Sequence, residues 1–256
     1  MTSHTRRTIL GVAGAGALAS VLPSRSLASN PISRPIKGVV ELFTSQGCSS
    51  CPPADKFLHT LAERDDVLAL AFHVDYWDYL GWKDTLASPD NTRRQYAYRQ
   101  TLGNRSPYTP QAVVNGVRHF VGSRGNEVEA GLVAGQHELY VPVTASKNDM
   151  NLRIEIGAVE PLSAPAVMTI VYFRSLTEVD VERGENRGRT LSYVNAVSAM
   201  DTIGTWSGEA TTKDMPMAEL SKHDADNCAI LIQKTDVNGA PAAILGAAVL
   251  NKAKMS

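Results

Sequence analysis

Two cysteines three residues apart, Cys48-Ser49-Ser50-Cys51, are followed at once by Pro52-Pro53 and preceded by the apolar run Val39-Val40-Glu41-Leu42-Phe43. A dithiol placed where a strand hands over to a helix is set up for redox chemistry. The helix N-terminus carries partial positive charge and backbone N–H groups without intrahelical partners, and both favour a thiolate over a thiol. In a dithiol cycle one exposed cysteine attacks or accepts a disulfide, and its neighbour resolves the mixed disulfide. Position makes Cys48, ahead of the helix, the expected nucleophile and Cys51, one turn inside, the resolving thiol. The Ser49-Ser50 spacer carries no charge or ring that would lower the pKa further, so the direction of electron flow stays open. The same residues also read as half of a metal site, or as a structural disulfide that never turns over. The small ring and the strand–helix setting favour turnover over the staple.

Further candidates lie along the chain. Tyr108-Thr109-Pro110, about sixty residues on, reads as a cis-proline loop, with Pro110 against the dithiol and the Thr109 backbone available to an extended substrate segment. Its alternative is an ordinary turn proline. Glu41 is a candidate buried carboxylate for proton transfer to the resolving thiol, although strand alternation at its distance from Cys48 can turn it away. His73, Asp75, Tyr76, Trp77, Asp78 and Trp82, with Asp84 after them, follow the carboxyl end of an apolar run, where open α/β sheets put ligand crevices. With Tyr108 they form a candidate substrate-binding wall. The competing readings are a copper or zinc site built with the dithiol, and a loop that packs Trp77 and Trp82 on the C-terminal half. The carboxylates lack helical ligand spacing and there is no second Cys-x-x-Cys, so no metal is assigned. No Gly-rich phosphate loop or haem-attachment motif is present, so no organic cofactor is expected either. In Gly184-Glu185-Asn186-Arg187-Gly188-Arg189, Arg187 reads as a partner for Asp75 or Asp78, or as part of a solvated turn.

The elements that must position these residues are legible. Val39 to Thr44 reads as a buried strand, and Pro52 to Glu63 as a helix with Ala54, Phe57, Leu58, Leu61 and Ala62 at core spacing. Val67 to Val74 fits a central parallel strand. Ser88-Pro89 opens a helix that ends before Gly103. Asn115-Gly116 is a hairpin turn between 112–114 and 119–121, and a helix over 127–136 closes the set. Strand, Cys-x-x-Cys, helix, strand, helix, cis-proline, hairpin, helix is the order of a thioredoxin-like α/β domain, placed at 36–137. From 138 to 256 short alternating runs such as Leu152-Arg153-Ile154-Glu155-Ile156, separated by turns, predict an antiparallel all-β, sandwich-like domain.

Residues 1–28 read as a twin-arginine signal: Arg6-Arg7, an apolar stretch from Ile9 to Leu22 too short and too rich in Gly and Ala for a stable span, and a small-residue cleavage site at Ser26-Leu27-Ala28. A periplasmic or secreted product with no stable membrane span is the expectation. Removing the segment takes away three arginines and no acid, moving the formal charge from −1 to −4 and giving no support for nucleic-acid binding. Three cysteines are an odd number for an oxidising compartment. Cys48 and Cys51 are near enough to pair, and Cys228, in the apolar run Cys228-Ala229-Ile230-Leu231-Ile232, reads as a buried inert thiol. The expected partners are protein or small-molecule thiols and disulfides, with an unassigned redox partner.

Residues 40–55 (Val40 through Cys48-Ser49-Ser50-Cys51-Pro52-Pro53-Ala54-Asp55) and His73-Val74-Asp75-Tyr76-Trp77-Asp78-Tyr79-Leu80-Gly81-Trp82 resemble a bacterial family of secreted, thioredoxin-like proteins known as a domain of unknown function. The resemblance extends to Tyr108-Thr109-Pro110-Gln111 and to residues 184–189, nearly the whole mature chain. It implies a thioredoxin-like domain with an attached β domain and brings no established substrate or reaction.

Overall fold

A computed structural model describes residues 1–2, 33–148 and 150–250; the twin-arginine segment and its cleavage site lie outside the described residues. The chain is mixed α/β and mostly strand. In order it forms β1 (Ser33–Pro35), β2 (Gly38–Thr44), α1 (Pro52–Ala62), β3 (Val67–His73), α2 (Pro89–Leu102), β4 (Gln111–Val114), β5 (Arg118–Val121) and α3 (Gly125–Ala134). The second half adds β6 (Val143–Asn148), β7 (Asn151–Ile156), β8 (Ala166–Asp180), β9 (Thr190–Trp206), β10 (Thr211–Pro216), β11 (Asn227–Thr235) and β12 (Pro241–Leu250).

Local chemistry explains the boundaries. Ser88 caps α2 by accepting the Asn91 N–H at 3.1 Å, Pro89 fills the first turn, and Gly103 ends the helix in the left-handed region. Asn115 and Gly116 both take positive φ (53° and 72°), the geometry of a type I′ hairpin turn between β4 and β5.

Nine strands form one sheet in the order β1-β12-β11-β8-β9-β3-β2-β4-β5. β2 and β3 are parallel, in register from Gly38 opposite Val67 to Thr44 opposite His73. The two halves of the chain join where β3 meets β9 at Ala71 and Ala196. Asn195, at φ 49°, reinforces that junction by donating from Nδ2 to the Ala69 carbonyl at 2.8 Å. The long β8–β9 hairpin thus carries the second half into the sheet of the first. β10, β7 and β6 form a separate antiparallel sheet.

Strand alternation sorts the side chains by face. Val40 and Leu42 of β2 pack with Ala54, Leu58 and Leu61 of α1 and with Val128 and Leu132 of α3. Val39 and Phe43 point the other way, into a core with Tyr98 of α2 that continues through Val171, Phe173, Leu231 and Ala247. A further core clasps the three-stranded sheet to the large one, with Leu152, Ile154 and Ile156 against Ile170, Ile230 and Ile232. β8 and β9 run to 15 and 17 residues, well beyond the apolar runs at 167–173 and 190–197 that announce them. β6 and β10 carry no comparable run in the sequence, because their exposed faces are polar.

Candidate functional site

Cys48 and Cys51 form a disulfide, Cα to Cα 5.4 Å, in the turn between β2 and α1. Cys51 is the N-cap of α1, and its carbonyl accepts the N–H groups of Ala54 and Asp55 at 2.8 and 3.1 Å. Dithiol, helix N-terminus and preceding strand stand together as their sequence suggests. The expected exposure of Cys48 does not hold: both cysteines are 0% exposed.

The cover comes from the loop between β8 and β9. Asn186, itself 1% exposed, donates from Nδ2 to the carbonyls of Gln46 and Cys48, both at 2.9 Å. Beside it, Glu185 Oε2 accepts the Ser49 N–H at 3.0 Å. Arg189 Nη1 donates to Asn186 Oδ1 at 2.9 Å, and backbone bonds from Val181 and Gly188 close the loop on itself. Gly184 takes φ +76° and has Trp82 Cβ 3.3 Å from where its own Cβ would stand, so both conformation and proximity call for glycine. Residues 181–189 therefore act as a strap over the dithiol. Its side-chain bonds to the first half are made by Glu185 and Asn186, while Arg187 stays at the exposed surface, the solvated-turn alternative for that residue.

The loop after β3 supports the dithiol from the other side. Trp77 Nε1 donates to Thr109 Oγ1 at 2.7 Å, joining this loop to the Tyr108-Thr109-Pro110 turn, whose Thr109–Pro110 bond is cis. Gly47 lets Trp77 close on the dithiol loop: a Cβ there would meet Trp77 Cβ at 3.0 Å. Trp82 Nε1 donates to Gln46 Oε1 at 2.8 Å, and its ring packs with Val181, Leu191 and Tyr193 of the second half. Asp75 pairs with Thr92 of α2 at 2.7 Å, and Asp78 accepts the Asp84 N–H at 3.0 Å; both organise the loop. Tyr76 packs against Trp77, ring centres 6.3 Å apart. The Tyr108 hydroxyl lies 2.8 Å from His119 Nδ1, pointing toward β5. Pro110 is buried, and its carbonyl accepts the Gly122 N–H at 2.9 Å.

Glu41 faces away from α1. It is fully buried on the α2 face, where Arg94 Nε donates to it at 2.7 Å and the Tyr98 hydroxyl donates to its other oxygen. Gln233 of β11 completes this network, accepting from Arg94 at 2.9 Å and donating to the Tyr98 hydroxyl at 2.7 Å. Glu41 shares its face with Val39 and Phe43, which is why strand parity removes it from the dithiol.

The acid on the dithiol's side is Asp55, in the first turn of α1. Thr44, which shares a face with Val40 and Leu42, donates its hydroxyl to Asp55 Oδ1 at 2.7 Å, while Oδ2 is buried without a partner. Burial pushes the Asp55 carboxyl up to about 7, against the opposing pull of the Thr44 bond and of His73. His73 Nδ1 donates to Asp84 at 2.9 Å, and its Nε2 is likewise buried without a partner. Burial works against charge on His73, but Asp84, and after it Asp55, outweigh it and raise its pKa. Burial also opposes charge on Asp84, yet His73 and the N–H groups of Gln46 and Leu86 hold its carboxyl below the usual range. The Tyr193 ring stands edge-on to His73, centres 4.5 Å apart. Asp84 thus ties the dithiol loop, through Gln46 N at 2.7 Å, to a buried His–Asp pair. Among the described residues no group of three or more His, Cys, Asp or Glu side chains is arranged to hold a metal ion.

Asp55 and Asn186 are functional candidates that reading the sequence misses. Asp55 had a signal: it lies four residues after Cys51, one helical turn on. Asn186 had none beyond its Gly-flanked loop.

No curated protein matches the chain. Among solved structures, Protein AGR_C_4864 from Agrobacterium tumefaciens is similar at 41% identity and TM-score 0.76, over 84% of this chain and 95% of that one. HBP35 of Porphyromonas gingivalis shares the fold at 15% identity and TM-score 0.54, over 84% of this chain and 74% of that one. A family model covers residues 39–233, from the strand before the dithiol to β11, and so includes the dithiol, the aromatic loop and the strap. With most of its length so matched, the chain belongs to the family described as protein of unknown function (DUF1223).

Proposed function

We propose that this chain is a thiol–disulfide oxidoreductase whose residues 36–137 are thioredoxin-like, exported to the periplasm or beyond, with the attached β structure holding a strap over the dithiol. The observation that carries the reading is the Cys48–Cys51 disulfide at the N-terminus of α1, whose first turn carries the Asp55 carboxyl, pushed up to about 7 by burial. The topology supports it: β2, the dithiol, α1, β3, α2, the Thr109-Pro110 turn, β4–β5 and α3 follow in the order such a domain requires.

In the oxidised state the strap lifts and a substrate thiolate attacks Cys48 Sγ. The Cys48–Cys51 bond breaks, a substrate–Cys48 disulfide forms, and the electron pair leaves on Cys51 Sγ. The helix N-terminus stabilises that thiolate. Asp55, one turn along, is protonated below pH 7 and supplies its proton to Cys51, the role the sequence suggests for Glu41. A second substrate thiolate then displaces Cys48. The electron pair leaves on Cys48 Sγ, the substrate dithiol departs as a disulfide, and the protein retains Cys51 as a thiol and Cys48 as a thiolate that takes its proton from water, as Asp55 does in turn. Run in reverse, the same steps reduce a substrate disulfide.

The complete burial of both sulfurs favours a second reading, a binding module in which the disulfide is a staple. The reduction potential separates the two. A value between about −120 and −270 mV, with Cys51→Ala trapping mixed disulfides and Cys48→Ala trapping none, supports exchange. A value below about −300 mV, with no trapping, leaves the staple.

A further inference from the structure

A cleft of about 430 Å³ opens between α1 and the start of β9, beside the dithiol, its lining including Pro52 and Asp55, which adjoin Cys51. The residues that give it its chemistry are Asp55, Lys56, His59 and Thr60 from α1, Arg189 from the strap, and Ser192 from β9. Lys56 and Arg189 are cations, and Asp55 is the single carboxylate in the lining. His59 Nε2 donates to the Ser192 carbonyl at 3.1 Å and pins the two walls together. Arg189 spends Nη1 on Asn186 Oδ1, which leaves further donors on its guanidinium.

The floor is what marks this cleft as a site. Asp55 Oδ1 is taken by the Thr44 hydroxyl, while Oδ2 is buried, unpartnered and part of a residue that lines the cleft. A buried polar atom without a partner is costly. Because Oδ1 already accepts a hydrogen bond, the proton of the neutral carboxyl resides on Oδ2, and burial keeps that carboxyl neutral up to about 7. The cleft therefore gathers two cations on its walls and the Ser192 hydroxyl over a carboxyl that burial keeps neutral, while the Thr60 hydroxyl is already spent on the Phe57 carbonyl at 2.7 Å.

We propose that this cleft binds a compact oxyanion, a carboxylate or phosphate group carried on a small molecule. An ammonium or metal cation would face Lys56 and Arg189, and an apolar ligand would leave the donors unmatched. An oxyanion accepts charge-assisted hydrogen bonds from both Lys56 and Arg189, with the Ser192 hydroxyl beside them. This assignment holds whether or not the dithiol turns over.

The test is a ¹H–¹⁵N NMR titration of the oxidised full chain below pH 7, with inorganic phosphate and, separately, with succinate. At least one anion is expected to give saturable shifts centred on the amides of Lys56, His59, Thr60 and Ser192; the tighter of the two names the group the site takes. Lys56→Gln, a change at an exposed position, is expected to weaken that binding about tenfold, roughly one charge-assisted contact. Arg189→Gln should do the same. If neither anion saturates at millimolar concentrations, or if saturable shifts persist unchanged in both variants, the proposal is overturned.

Discussion

Asn186→Ala should make the buried disulfide far easier to reduce. The side chain donates two hydrogen bonds, to the Gln46 and Cys48 carbonyls, from a position that water barely reaches. Each such bond contributes about 1 kcal/mol net, so closure of the strap should weaken by roughly 2 kcal/mol. A tenfold change in an equilibrium constant corresponds to about 1.4 kcal/mol, which makes the open population about thirtyfold larger. Where opening and closing are fast, the rate of attack on a buried bond follows that population. The assay is the second-order rate of reduction by dithiothreitol, read by alkylation of the freed thiols. Two further variants isolate the mechanism. Leu152→Ala, in the distant core between the sheets, costs about 2–5 kcal/mol of global stability and should leave the rate unchanged. Glu185→Ala removes a fully exposed carboxylate and should change it far less than Asn186→Ala does. Reduction of Asn186→Ala at the wild-type rate would refute the strap. So would acceleration of Asn186→Ala and Leu152→Ala in proportion to their loss of global stability.

Asp55 and Glu41 each yield a further prediction. The Asp55 carboxyl is raised from 3.8 to about 7, so in the folded chain it keeps a proton that the unfolded chain has already lost above about pH 4. Its stabilising contribution is complete below that pH and disappears as pH rises through about 7. Urea unfolding at pH 5 and pH 8 should therefore show the wild type losing stability that Asp55→Asn retains; parallel pH profiles would contradict the assignment. Glu41→Ala strands the buried Arg94 without its counter-charge and should cost about 3–5 kcal/mol, whereas the double change Glu41→Leu/Arg94→Met should recover much of that loss. A double variant no more stable than the single would show that packing, not charge, sets the cost.

Most elements around the dithiol were legible because each carries its own local chemistry. Ser88-Pro89 and Gly103 bound α2, Asn115-Gly116 makes the hairpin, and the apolar runs of β2 and β3 are buried along their full length. These are short-range signals that depend little on the rest of the fold. The single sheet was not legible. Residues 36–137 and 138–256 differ in texture because one set of strands alternates with helices and the other with turns. Texture says nothing about whether two sets of strands hydrogen-bond to each other. Within the sheet the strands of the two sets meet at one parallel bridge, Ala71 with Ala196, reinforced by the side chain of Asn195, itself a left-handed residue inside a 17-residue strand.

The site divides along the same line. Cys48 and Cys51 could be read because their spacing and their position ahead of a helix are local facts, and Trp77 meets Thr109 as a loop beside the dithiol should. Choosing between Glu41 and Asp55 required the absolute facing of β2, which depends on whether α1 or α2 covers the even-numbered residues. Val40, Leu42 and Thr44 lie under α1, so the acid near the dithiol had to come from that side, and Asp55, which Thr44 touches, provides it. Asn186 lies beyond any reading of this kind. It stands 138 residues from Cys48 in a loop that looks like a solvated turn, and its importance comes from two carbonyls of the dithiol turn, that of Gln46 and that of Cys48, the second of which also accepts the Cys51 N–H at 3.2 Å. A buried turn must find donors somewhere. An exposed nucleophile is the ordinary arrangement for exchange, and here the donors arrive on a strap that hides it. If the dithiol reacts, its rate is therefore set first by the second half of the chain, and substitutions at 185–189 should change reactivity without touching either sulfur.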